Sequence, residues 1–198
     1  MFMFDIETLG TESTSIILSA AITHFDFDDV SIRNPQDELA MLEEYRHYVN
    51  SSKFVKFDVR EQQDNGRIYT KGTVDWWKKQ SQIAKDTSLS VHEDDLSTKE
   101  GIRQIQEYVD AHGGNNQIVW ARGSLDQMVF DSLCRSIDIE PIFMYNMWRD
   151  VRTAIDILAT ESKGGYADIK NFNSNNHVIK HVPQNDCALD ILMVLYYV

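Results

Sequence analysis

Asp5 and Glu7 stand two residues apart at the end of an apolar run, Met1 to Ile6 (MFMFDI), while His181 and Asp186 stand close together near the other end of the chain. The run suits a buried strand, in which side chains two apart project from one face. Two carboxylates brought to one point repel by about 1 kcal/mol in bulk water and by several at an effective dielectric of roughly 20, so they coexist only with protons or cations between them. Oxygen ligands of this hard kind favour magnesium or manganese. His181 adds a group that titrates near neutrality and can accept a proton from water. On a single helix His181 and Asp186 would lie about 140° apart. Pro183 instead biases Val182 away from helical geometry and favours a helix starting at its own position, which leaves His181 on a loop able to fold back over the carboxylates.

Asp126 is the fourth acidic candidate. Ile118-Val-Trp120 reads as a short buried strand, and Ser124-Leu-Asp-Gln127 has the form of a capping box opening a helix, with Leu125, Met128, Val129, Leu133 and Ile137 on its inner side. Asp126 thus falls in a first helical turn just past a strand end. An acid there can simply stabilise the helix N-terminus, but the strand end places it where Asp5, Glu7 and Asp186 can also converge.

The remaining elements must carry these residues to one rim. Ile16 to Phe27 is rich in β-branched and aromatic residues and forms a hairpin with the first strand, and Lys53 to Val59 alternates as a third strand. Gln62 to Gly72 reads as a loop, Val74 to Gln80 as a short helix with Trp76 and Trp77, and Ser81 to Ser97 as an exposed connection. Ser97-Thr-Lys-Glu100 is a capping box for a helix carrying Ile102, Ile105 and Val109 and stopped by Gly113-Gly114. Asp150 to Thr160 is a further helix, Ser162 to His177 a Gly/Asn-rich loop, and Gln184 to Tyr197 a last helix with Ala188, Ile191, Leu192 and Leu195 inward. This order gives an α/β fold, a mixed sheet with helices packed on it, in one domain over residues 1–198.

Composition narrows the partners. A 198-residue chain with 42% hydrophobic and 11% aromatic content supports one substantial core. The apolar start lacks a basic n-region and a cleavage site, and no stretch approaches the roughly 18 apolar residues of a membrane span, so the expectation is a cytoplasmic protein with no membrane partner. Cys134 and Cys187 suit reduced core thiols, and His177 with Cys187 lacks the further ligands zinc needs. The net charge of −12 argues against a protein that coats nucleic acid through many phosphate contacts. It does not exclude a nuclease, because bound divalent ions would offset the acidic site locally. G-x-G-x-x-G and G-x4-G-K-[ST] are both missing, which disfavours dinucleotide-binding and P-loop enzymes.

The pattern Asp5-x-Glu7, Asp126, His181-x4-Asp186 resembles the DEDDh group of 3′-to-5′ exonucleases. Val182 stands where a tyrosine would mark the sister group. The strings Lys56-Phe-Asp, Tyr69-Thr-Lys, Asp75-Trp-Trp-Lys-Lys-Gln-Ser, Trp120-Ala-Arg-Gly, Arg149-Asp-Val-Arg-Thr and Asp186-Cys-Ala-Leu-Asp-Ile-Leu-Met are similar to the bacteriophage branch of that group. The resemblance implies a ribonuclease H-like fold and hydrolysis with two Mg2+ or Mn2+ ions. Asp5, Glu7, Asp126 and Asp186 would be the ligands, Asp5 bridging both ions, and His181 would deprotonate the attacking water. Backbone amides of Thr8, Leu9 and Gly10 would hold the terminal 3′-OH, with Leu9 packed on the last base. The substrate so implied is nucleic acid, preferably single-stranded or frayed DNA 3′ ends, degraded to nucleoside monophosphates, in the host-cell cytoplasm if the protein is phage-encoded. An exoribonuclease or oligoribonuclease is the alternative within the same chemistry, and a non-catalytic interaction module is the alternative outside it. Packing is the favoured reading of Trp76 and Trp77, Asp190 reads as a polar helix position, Arg149 and Arg152 suit phosphate or acidic neighbours, and Lys163, Lys170 and Lys180 make a locally basic loop.

Overall fold

The computed structural model describes every residue except Asp29. In chain order the elements are β1 (Phe2–Thr8), β2 (Ile17–His24), α1 (Val30–Arg33), α2 (Glu38–Ser51), β3 (Lys53–Lys56), α3 (Val59–Asp64), α4 (Lys71–Trp77), α5 (Gln82–Ala84), α6 (Thr98–Ala111), β4 (Val119–Ala121), α7 (Leu125–Ser136), β5 (Trp148–Asp150), α8 (Val151–Leu158), α9 (Ser174–His177) and α10 (Pro183–Tyr197). Five strands form one sheet in the order β3-β2-β1-β4-β5. The β1–β2 and β2–β3 pairs are antiparallel, whereas β1–β4 and β4–β5 are parallel. This is the mixed sheet flanked by helices that the sequence implies, and it is consistent with a ribonuclease H-like fold.

Alternation along β1 divides the molecule. Phe2, Phe4 and Ile6 point into a core with α6 and α7, through Ile102, Ile105, Val109, Val129, Phe130 and Leu133. Met3 points into the opposite core, built on α10, α2 and α8. Asp5 and Glu7 share the face of Met3 by the two-residue period. They therefore emerge beside the first turn of α10, where Asp186 sits. Helix α10 is buried from Cys187 to Leu195 on all sides, as expected of a helix whose apolar residues do not form a single stripe. The protein's most apolar helix is thus the fixed strut that delivers one of its site carboxylates.

Several elements differ from the sequence expectation for identifiable reasons. β1 runs two residues beyond Ile6, because β2 pairs with Glu7 and Thr8. Within the expected loop 62–72, Gln62 to Asp64 belong to helix α3, Gln62 is 1% exposed, and Arg67 is 5% exposed. Gln62 accepts from the Ile17 amide at 2.9 Å and donates to the Ile17 carbonyl at 2.7 Å, while Arg67 donates to the Ser15 carbonyl at 2.6 Å. These polar side chains are interior because they satisfy the hairpin backbone. The 81–97 connection is largely exposed, as expected, but is pinned to the sheet at a few points. Ala84 and Ser88 are buried, Ser88 meets Ser19 at 2.8 Å, and Lys56 pairs with Asp95 at 2.8 Å. Ser97 caps α6 by accepting from the Glu100 amide, but Ser124 makes no side-chain cap to α7, so the second capping box does not form. Met128, expected inward on α7, is 41% exposed. The loop 162–177 contains the short helix α9, and α4 starts at Lys71, earlier than Val74, because Thr70 caps it.

Candidate active site

Each acidic candidate reaches the site through a local feature of the chain. Asp5 and Glu7 come from the end of β1. Asp126 enters from the first turn of α7, and its Oδ1 accepts from the Ile6 amide at 3.3 Å, which ties that turn to β1. Val182 is extended (φ −122, ψ 106) and Pro183 opens α10, as Pro-specific restrictions on both residues require. Just before this start, His181 adopts φ +63, a left-handed conformation uncommon for a residue with a side chain. The Asp186 Oδ2 holds it there by accepting from the His181 amide at 2.7 Å. The turn reverses the chain so that His181 Nδ1 lies 3.5 Å from Glu7 Oε1. One ligand atom from each of Glu7, His181 and Asp186 fits within 4.8 Å of the others. Trp76 supports the imidazole edge-on at a ring separation of 4.6 Å.

Asp5, Glu7, Asp126, His181 and Asp186 line one cleft of about 260 Å³. Burial pushes the Asp5 carboxyl well above the usual carboxylate range, and the charges of Asp186, Asp126, Glu7 and Asp190 push it further. Asp126 is pushed up to about 8, chiefly by burial, with the Ile6 amide opposing and Glu7 adding. Asp186 rises to about 7 through burial, Glu7 and Asp190. Glu7 is raised by burial and held back by His181, whose own pKa is raised by its contact with Glu7 against the pull of burial. Asp5 Oδ2 is buried with no hydrogen-bond partner. Buried polar atoms are nearly always satisfied, and these carboxyls must otherwise carry protons near neutrality. A divalent cation bound by hard oxygens supplies both the missing partner and the missing positive charge. The donor set therefore fits magnesium or manganese.

The cleft wall is also partly basic, which was only partly visible in sequence. Arg122, Arg152, Tyr166, Lys180 and Asp190 line the same cleft. Arg122, from the end of β4, donates to Asp190 at 2.5 Å and to the Gly165 carbonyl at 2.7 Å, and its guanidinium lies 3.8 Å from the Tyr166 ring centroid. Asp190 is thus a buried ion-pair partner rather than a plain polar helix position. Gly165, at φ +76, lets the loop pack closely on Arg152, since a Cβ there would meet the Arg152 Cα at 2.5 Å. Asp150 explains two of the recognised strings together. It accepts from the Gly123 amide at 2.8 Å and caps α8 by accepting from the Arg152 amide at 3.0 Å. Arg149 is not part of the site, because its Nη1 donates to the Asn146 and Trp148 carbonyls. Arg122 and Tyr166 had no periodicity or spacing to mark them, and only the string Trp120-Ala-Arg-Gly contained a hint.

Thr8, Leu9 and Gly10 lie beside Glu7 but are turned inward. The Leu9 amide donates to the Ile16 carbonyl at 2.9 Å, and the Leu9 side chain packs with Ile16, Leu18 and Trp77. The Thr8 carbonyl accepts from Trp77 Nε1 at 2.9 Å, and the Thr8 hydroxyl donates to the Gly10 carbonyl at 2.6 Å. In this geometry the three residues brace the site from beneath. Trp77 is fully buried and packs as expected, whereas Trp76 is 40% exposed at the mouth. His177 pairs with Glu38 at 2.9 Å, away from any shared site with Cys187, and both cysteines are buried and free. Among the described residues no helix is long and apolar enough to cross a membrane.

The family model of the 3′-5′ exoribonuclease Rv2179c-like domain matches residues 1–185. The exodeoxyribonuclease of Enterobacteria phage T4 is 29% identical over 212 residues, which cover 98% of this chain and 87% of that protein.

Proposed function

Because the chain belongs to the 3′-5′ exoribonuclease Rv2179c-like domain family and is therefore a 3′-5′ exonuclease, we propose that its preferred substrate is DNA, hydrolysed from the 3′ end to nucleoside monophosphates with two bound divalent ions. The observation that carries the reading is the convergence of four carboxyls of raised pKa, Glu7 and Asp126 buried and Asp5 and Asp186 half-buried, with one histidine in a single cleft. Perturbed groups gathered in this way mark functional sites. A non-catalytic module has no reason to assemble them.

In this mechanism Asp5, Glu7, Asp126 and Asp186 would hold the ions, magnesium or manganese. Bound there, the ions would polarise the scissile phosphodiester and offset the charge that develops on the attacking and leaving oxygens. His181 Nδ1 faces Glu7, which leaves Nε2 to take the proton of the attacking water. Asp186 fixes the histidine through its backbone, and Trp76 fixes the ring through its edge. Thr8 to Gly10 and Trp77 form the support under the terminal nucleotide. Arg152 and Lys180 also line the cleft and attract the phosphate backbone.

The choice of DNA rests on the exodeoxyribonuclease that matches nearly the whole chain. The family's own description, an exoribonuclease domain, supports RNA as the second reading. Single-stranded or frayed ends suit the narrow cleft, since the terminal nucleotide must leave its partner to enter. If the source is a phage, the place of action is the host cytoplasm. Steady-state kcat/KM on DNA and RNA oligomers of matched sequence tests the sugar choice. DNA is expected to be the better substrate with measurable RNA cleavage, and RNA degraded ten times faster would replace this reading with the exoribonuclease one.

A further inference from the structure

Arg122 and Arg152 line the same cleft, yet their guanidiniums are in different states. That of Arg122 is taken up by Asp190 and the Gly165 carbonyl. That of Arg152 makes no hydrogen bond or ion pair among the described residues, although its charge is felt at Asp156 and Asp190. Two glycines in left-handed conformations border it. A Cβ on Gly165 (φ +76) would meet the Arg152 Cα at 2.5 Å, and one on Gly123 (φ +87) would lie 4.0 Å from Arg152 Nη1. The Arg152 stem thus packs on one glycine and its guanidinium lies beside the other.

Both glycines are tied to α8 by carboxylates. Asp156 accepts from the Gly165 amide at 2.8 Å. Asp150, at the end of β5, accepts through Oδ1 from the Gly123 amide at 2.8 Å and from the Arg152 amide at 3.0 Å, and through Oδ2 from the Thr153 hydroxyl at 2.5 Å. Capping a helix requires bonds only to that helix's own first turn. The bond to Gly123 goes further, because it ties the end of β4, which carries Arg122, to the turn of α8 that carries Arg152. One oxygen thereby holds both arginine-bearing segments in register. Against burial, the bonds from Thr153, Gly123 and Arg152 keep the Asp150 carboxyl below the usual carboxylate range, so these are charge-assisted bonds, roughly twice as strong as neutral ones. A guanidinium held on a fixed backbone with its donors open suits a phosphate, whose oxygens match its planar fork.

We propose that Asp150 is a positioning residue for substrate binding, which acts by holding Arg152 as a cation that takes a phosphate of the nucleic acid. The proposal rests on the exonuclease reading of the cleft. Variants tested in steady-state hydrolysis of a single-stranded DNA oligomer with Mg2+ separate this role from plain helix capping. Asp150→Ser keeps a hydroxyl able to cap α8 but is too short to reach the Gly123 and Arg152 amides together. It is expected to raise KM about tenfold, the scale of one charge-assisted hydrogen bond, with kcat little changed. Asp150→Asn keeps an oxygen in reach of both amides and should return KM close to wild type. Arg152→Ala should raise KM as D150S does, and the double variant no further. In each of these the slope of log KM against log salt should fall by about 0.7, the share of one single-strand phosphate contact. Thr153→Val removes the third bond to Asp150 but neither arginine link, so it should lower the melting temperature and leave KM unchanged. Wild-type KM and salt slope in R152A, additive effects of D150S and R152A, or a D150N as impaired as D150S overturns the proposal, and the R152A result decides even if D150S does not fold. A wild type that releases no mononucleotide overturns the exonuclease reading and this proposal with it. An active wild type with any of those variant results overturns this proposal alone.

Discussion

Asp126→Asn should make the metal-free protein more stable at alkaline pH. Asp126 is 6% exposed, and its pKa rises from 3.8 to about 8. For an acid with a raised folded-state pKa, the folded protein keeps a proton that the unfolded chain has released. Unfolding free energy is therefore highest below about pH 4, falls by up to about 1.36 kcal/mol per pH unit through the interval, and levels off near pH 8. The ceiling of this loss is about 6 kcal/mol. Asp126 shares its charge environment with Glu7 and Asp190, so relieving it alone should recover about half, or roughly 2–3 kcal/mol. In a chain of this length that is about 5–10 °C in Tm. Asparagine keeps an oxygen for the Ile6 amide, so the comparison isolates charge from packing. Thermal melts in EDTA should show D126N above wild type at pH 8 and the two converging near pH 4.5. Millimolar Mg2+ should narrow or reverse the gap, because at a hundred times Kd a ligand stabilises the form that binds it by about 2.7 kcal/mol. If D126N melts at or below wild type at pH 8 in EDTA, the carboxyls are not held together against their charge, and the electrostatic case for a metal site collapses.

Three further outcomes follow from the same geometry. Asp5→Asn and Asp186→Asn should each abolish hydrolysis while leaving the circular dichroism spectrum unchanged; full activity in either purified variant removes that carboxylate from the site. His181→Ala should lower kcat by about 10²-fold or more with metal affinity, read by calorimetry, nearly intact, and it should flatten the rise in rate with pH through the imidazole titration. Arg122→Ala leaves Asp190 buried without its partner, so it should lower the unfolding free energy by about 3–5 kcal/mol in urea titrations, and a loss under 1 kcal/mol would show that the pair does not hold the basic wall.

The site was more legible in sequence than the scaffold around it. Asp5 and Glu7 could be paired because a strand's period is two and nothing else decides which face they share. Pro183 set the start of α10 and put His181 outside it, although only the structure shows that Asp186 binds the His181 amide to make that turn. Helix α2 was missed despite a readable signal, since Asp37 caps it and Met41, Tyr45 and Tyr48 recur on its buried side. β5 is three residues long, too short for any period to register. Gln62 and Arg67 look like loop residues by type, and their burial depends on carbonyls supplied by a hairpin some 50 residues earlier. Arg122 is invisible for the same reason, because its partners Asp190 and Gly165 become neighbours only after β4, α10 and the intervening loop have packed.

The central claim is that the carboxylate cleft hydrolyses nucleic acid from the 3′ end only when divalent ions fill it. The most direct measurement is the time course of mononucleotide release from DNA labelled at the 3′ end and, separately, at the 5′ end, in Mg2+, in EDTA, and in EDTA followed by excess Mg2+. The account predicts immediate release of the 3′ label as nucleoside monophosphate, late release of the 5′ label, no release in EDTA, and recovery on adding Mg2+ back. Hydrolysis that persists in EDTA, or release of the 5′ label first, would contradict it.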